Sequence, residues 1–229
     1  MTSTKKDPVL AVLQLSGGND GLNTIVPYGD PFYADNRPAV RVSEDQVLPI
    51  NDSIGFNPAM GPIKELFDQG KVAIIQGIGY PNPNRSHFRS MDIWHTCEPE
   101  KVGYEGWLGR AIREIDPKGE NVLTGVNFGR GLPRSLAAPG VPVASVGNLE
   151  TYGVLTGIED DQREEALDIF SRMYSPAMGR GPVMDYLSHT GMDALKGADI
   201  LSTAPEKYSS SVEYGNSSVA QYLRNISQT

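Results

Sequence analysis

Two apolar runs, and the helix signal between them, predict an α/β fold with a mainly parallel sheet flanked by helices. Residues 9–15 (VLAVLQL) are almost continuously apolar, the pattern of a strand covered on both faces, and residues 71–76 (KVAIIQ) repeat it. Between them Asn57 caps a helix with Pro58 at its first position, Met60, Ile63, Leu66 and Phe67 on its inner face, and Gly70 as its stop. Strand, crossover helix and strand make a βαβ unit, whose connection is right-handed in a parallel sheet.

The elements follow in chain order. The start, MTSTKKDPVLAVLQL, is too short in its apolar part to span a bilayer and lacks a small-residue cleavage site, so it reads as the first strand and a cytoplasmic location is expected. SGGNDGLN comes next and puts Asp20 at the strand's carboxyl end, where open α/β sheets bind ligands; an Asx turn accounts for the same residues equally well. Residues 27–56 read as a long ordered loop anchored by Tyr28, Phe32 and Tyr33. Past the second strand, Pro81, Asn82, Pro83 and Asn84 form a turn, and a helix starts at Ser86 with Phe88, Met91 and Trp94 or His95 as its buried stripe. A further helix is expected between Gly106 and Asp116, and strands over 121–128 and 141–146, the latter with Pro142 near its start. Helices over 160–174 and 182–201 and an amphipathic one from Ser217 complete the chain. The acidic run at Asp160, Asp161, Glu164 and Glu165 reads as a solvated helix face, and His189 as structural.

Composition narrows the function. With 229 residues, 39% apolar and 21% charged, the chain is expected to be a single α/β domain over 1–229 with a substantial core. A net charge of −8 argues against a nucleic-acid partner, and nothing suggests a membrane. The single cysteine, Cys97, excludes an internal disulfide and a cysteine-based zinc site.

The chemistry concentrates in residues 79–97, GYPNPNRSHFRSMDIWHTC. Arg85, His87 and Arg89 crowd a helix N-terminus, where the macrodipole favours acids, so an anion bound to the free N–H groups would relieve them. Ser86 is either a plain cap or a hydroxyl activated by the same field. If the two apolar runs pair as strands, Asp20 and Ser86 project from one sheet edge.

The stretches LQLSGGNDGLNTIVPY, QGIGYPNPNRSHFRSMDIWHT and GWLGR resemble the bacterial family catalogued as domain of unknown function 1501, along essentially the whole chain. That family is grouped with the alkaline phosphatase superfamily, so the resemblance implies an alkaline phosphatase-like fold and phosphate or sulfate ester hydrolysis at a paired-metal site. It implies Ser86 as nucleophile, Asp20 as a metal ligand, and Arg85, His87, Arg89 and, less directly, His95 as groups holding a small anionic ester. Divalent ions (Zn, Mn or Ca) are the implied cofactors. The family's remaining ligands lie in a Gly-Gly-(Phe/Trp)-Asp-Thr-His stretch and later Asp-His residues that are not in this sequence. The chain is therefore expected to be the N-terminal portion of a longer domain, with the C-terminal half missing and the metal site incomplete. Many members carry a twin-arginine signal, which makes the periplasm the alternative location. The alternative functions are a catalytically inactive anion-binding or structural relative, or a fragment without activity.

Overall fold

The computed structural model describes residues 8–15, 19–129, 131–149, 152, 160–174, 192–195, 197–198, 200–208 and 211–229. These form a mixture of helices and small sheets, in two compact units, Met1–Gly79 and Tyr80–Thr229. Among the described residues no helix is long and apolar enough to cross a membrane.

The first unit opens with α1 (Gly21–Thr24), β1 (Ile25–Val26) and α2 (Pro31–Asn36). Asp30 caps α2 by accepting from the Phe32 N–H at 2.9 Å, ahead of Pro31 at the first helical position. β2 (Leu48–Pro49) and β3 (Gly55–Phe56) join β1 in an antiparallel sheet of order β1-β3-β2. Pro49, which has no N–H to give a ladder, sits on the edge strand. Val26, Tyr33 and Val47 are the buried centre, with Tyr28 and Val42 packed against them. The expected loop over 27–56 is thus ordered, and Tyr33 is its anchor. Its hydroxyl donates to Asn23 Oδ1 at 2.7 Å and accepts from the Val42 N–H at 2.8 Å. Phe32, expected to pack, is 71% exposed.

Asn57 caps its helix as expected, accepting from the Ala59 N–H at 3.0 Å and starting a short 3-10 turn, Pro58–Met60, that leads into α3 (Gly61–Asp68). The end of α3 is a Schellman motif: Gly70, at φ +70, donates to the Phe67 carbonyl at 2.8 Å and Lys71 to that of Leu66 at 3.0 Å. Phe67 meets the buried Phe56 edge to face, with ring centres 5.5 Å apart, while Ile63 and Leu66 remain partly open to solvent.

The two runs that predicted the sheet require correction. Residues 8–15 form neither helix nor strand and are exposed throughout, and residues 71–80 are likewise outside any sheet. An apolar run records a demand for burial but does not specify the ladder that meets it, because the partner is remote in sequence. The βαβ pair expected to carry Asp20 and Ser86 to a common edge is not formed. Among the described residues, the antiparallel β1-β3-β2 sheet and one parallel pair stand in place of the expected mainly parallel sheet.

That pair lies in the second unit. β4 (Val126–Phe128) and β5 (Ala144–Val146) run parallel, shorter than the strands expected over 121–128 and 141–146. They help cover a core of Val146, Leu149 and Leu201. The strand start is displaced because the Asp116 carboxylate accepts from the Asn121 N–H at 2.9 Å and the Glu120 N–H at 3.2 Å, folding 116–124 into a turn. Those N–H groups hold the Asp116 carboxyl below its usual range. The helices α4 (His87–Thr96), α5 (Trp107–Ile115) and α6 (Asp160–Met173) follow their expected bounds closely. A last helix, Ser218–Gln228, starts on a Ser217 cap and lies beside β4. Most of the helix expected over 182–201 lies outside the described residues, as does His189; 192–195 and 200–202 are helical.

The GWLGR stretch is a packing device. Gly106 and Gly109 bring α5 against the chain at 134–138, where Leu108 and Gly109 donate to the Ser135 carbonyl at 2.9 and 3.1 Å and Gly106 to that of Ala137 at 2.8 Å. The orphan N–H groups of the α5 N-terminus are thereby satisfied from within. A Cβ on Gly106 would come within 2.1 Å of the Arg134 and Ser135 carbonyl oxygens. Gly106→Ala is therefore expected to destabilise the fold by roughly 1–3 kcal/mol, read as a lower denaturant midpoint.

Candidate functional site: the α4 N-terminus and the Asp20 pocket

Asn84 organises the approach to α4. Its N–H donates to the Tyr80 hydroxyl at 3.1 Å, its side-chain oxygen accepts from the Ser86 N–H at 2.8 Å and its carbonyl from the Ser90 hydroxyl at 3.2 Å. Asn82 takes the left-handed conformation, φ +52, that closes the turn. Ser86 is then the N-cap, its backbone extended and its Oγ accepting from the Arg89 N–H at 3.4 Å. That bond is long, and the residue is exposed. Arg85 and His87 flank it on the surface, and the first turn of α4 contains no acid.

The structure gives Arg89 a different task from the one expected. Its guanidinium donates to Asp92 Oδ2 at 2.7 Å and to the carbonyls of Glu98, Pro99 and Lys101 at 3.0, 3.1 and 2.7 Å. A side chain committed to four acceptors is an internal tie, so Arg89 leaves the anion-holding set. Asp92 also faces Arg134, which donates onward to the Gly103 carbonyl. Arg110 extends the same network by donating to the carbonyls of Thr96 at 2.8 Å and Glu105 at 2.9 Å. Arg113 grips the Glu105 carboxylate at 3.1 and 2.5 Å and holds its carboxyl below the usual range.

This network turns α4 about its axis relative to the expected stripe. Ile93 and Thr96 are its buried residues, whereas Phe88 is 90% and Trp94 60% exposed. The anchoring groups are polar, which a search for apolar spacing passes over. An Arg-x-x-Asp pair at helical spacing, Arg89 to Asp92, was the legible signal. His95 is half-buried in the last turn, nine residues or roughly 13 Å along the axis from Ser86. Arg85, Ser86 and His87 stay together; Arg89 and His95 do not join them.

Asp20 belongs to the first unit. It precedes α1 but makes no side-chain capping bond; its Oδ2 accepts from Arg37 at 2.5 Å. Sequence reading did not single out Arg37. Both residues line an open pocket of about 580 Å³ whose far wall includes Ile74 and Ile75. The hydrogen bond from Arg37 holds the Asp20 carboxyl below its ordinary 3.8, so it is an anion at neutral pH and suited to a cation. As a donor set it is incomplete: among the described residues no three His, Cys, Asp or Glu stand together as metal ligands. A closed paired-metal site is not assembled from them.

Because its folded pKa is depressed, Asp20 contributes stability above pH 3.8 that is lost as pH falls through the lowered value. Arg37→Gln should raise the Asp20 pKa toward 3.8 in an NMR titration; an unmoved value would show that the guanidinium does not set it.

No family model, curated protein or solved structure matches this chain.

Proposed function

We propose that the chain belongs to an alkaline phosphatase-like hydrolase acting on small phosphate or sulfate monoesters, with Ser86 as nucleophile. The observation that supports this most directly is the setting of Ser86: an exposed hydroxyl capping a ten-residue helix, beside Arg85 and His87, with no acid in the first turn. The Arg89 N–H already points at Oγ and the helix dipole adds to it, so negative charge developing on that oxygen is stabilised. The long cap bond leaves the oxygen available for attack on phosphorus or sulfur: the new bond to Oγ forms as the bond to the ester alcohol breaks, the serine proton leaves with that alcohol, and water then releases the group from Ser86. Arg85 and His87 meet the anionic oxygens. A divalent metal, with Asp20 as one of its ligands, is the cofactor on this reading.

One observation favours the alternative of an inactive relative that only holds anions. Asp20 is already paired with Arg37, as it would be in a protein with no metal to bind. Phosphate or sulfate binding indifferent to chelator would select that alternative.

Capping and nucleophilic attack can be separated, because asparagine caps a helix as well as serine does but has no hydroxyl. Ser86→Asn is expected to keep the melting temperature and lose all hydrolysis of para-nitrophenyl phosphate and sulfate that the unaltered chain shows with Zn²⁺, Mn²⁺ or Ca²⁺ supplied. Ser86→Ala should lose hydrolysis and in addition about 1 kcal/mol of stability. Turnover surviving in Ser86→Asn would remove the nucleophile assignment.

A further inference from the structure

The apolar runs at 8–15 and 72–79 both belong to the first unit, and each has the make-up of a strand without the pairing of one. Along the second, Val72 and Ile74 are half-buried while Ala73 and Ile75 are exposed, the period-two alternation of a pleated strand laid on a surface. Among the described residues the backbone groups of 8–13 and 72–79 enter no hydrogen bond, so both runs present free donors and acceptors, the template on which another strand adds. Val9, Leu10, Leu13, Leu15, Ile75 and Ile78 are between 54 and 92% exposed, a concentration of apolar surface that isolated domains rarely leave uncovered.

Charge, area and position narrow what covers it. Neither run contains an ionised side chain, so the complement is an uncharged apolar strand, and each run is that complement for the other. The six side chains together expose roughly the 800 Å² per partner that a stable interface buries. Asn19, four residues past the end of the first run, lines the same pocket as Ile74, Ile75, Gln76 and Gly77. A copy whose 8–15 lies along its partner's 72–79 therefore brings the partner's 8–15 to its own 72–79, and the exchange closes on a two-fold axis instead of continuing as a filament.

We propose that the first unit is a dimerisation module in which two copies of the chain exchange residues 8–15, each adding that run as a strand beside residues 72–79 of the other. The exchange supplies the ladder that neither run has within its own chain. It is independent of the role given to Ser86, which lies in the second unit.

Sedimentation equilibrium of the full chain at tens of micromolar is expected to give a dimer. Leu13→Lys and Ile75→Lys change exposed positions, so each is expected to keep the far-ultraviolet circular dichroism of the unaltered chain. Each places an unpaired charge in the apolar seam and is expected to sediment as a monomer. A monomer in the unaltered chain, an assembly larger than a dimer, or a dimer that survives either substitution would overturn the proposal. A mixture shows which strands meet. A nitroxide attached through Val9→Cys in a Cys97→Ser chain should broaden the amide signals of a ¹⁵N-labelled Cys97→Ser chain most strongly at residues 72–79. Broadening strongest at 8–15, as like pairing with like would give, or strongest at any other segment, or absent, contradicts the exchange.

Discussion

A nearly enclosed carboxylate between two guanidiniums governs how the second unit presents Ser86. The Asp92 side chain is only 13% exposed, and removing it from water costs several kcal/mol unless it is paired and hydrogen-bonded. Arg89 donates to its Oδ2, Arg134 forms an ion pair with Oδ1, which accepts no hydrogen bond, and each arginine goes on to bind carbonyls of the 98–103 segment. The α4 helix is therefore clamped along its polar face. Thr96, fully buried, packs so closely on Gly103 that a Cβ there would come within 2.7 Å of its side chain. With that face fixed, the first turn and its serine are held at the surface.

The arrangement divides a cationic cluster into two kinds of residue. Arg85 and His87 remain exposed on the surface, while Arg89 becomes part of the frame that holds the helix. The first unit handles charge in a comparable way at smaller scale, with one carboxylate, one guanidinium and a tyrosine that fixes the elements bearing them. In both places an arginine is committed within the fold before any ligand is considered. The difference is access. Asp92 is walled in, whereas Asp20 faces an open pocket.

Helix boundaries were legible in the sequence because caps are local chemistry. Ser86, Asn57 and Ser217 each accept from an N–H two or three residues ahead, and Gly70 ends α3 through its positive φ. Strand pairing was not legible in the same way. The runs at 9–15 and 71–76 carry the composition of buried strands yet form no ladder among the described residues, since a ladder depends on partners that local composition does not name. The orientation of α4 was misread for a related reason: apolar periodicity pointed to Phe88 and Trp94, but the stronger demand came from burying Asp92. Of the candidate site, the Arg85-Ser86-His87 cluster was readable, while Arg37 was not, because nothing near position 37 advertises a partner seventeen residues earlier.

The central claim is that the Ser86 oxygen forms a bond to the transferred phosphoryl or sulfuryl group. Acid-quenching the chain, supplied with Zn²⁺, Mn²⁺ or Ca²⁺, during incubation with para-nitrophenyl phosphate and mapping the modification by tandem mass spectrometry tests it directly. A phosphoryl group on Ser86 is the expected result. Turnover with Ser86 unmodified, or with the group on another residue, would contradict it.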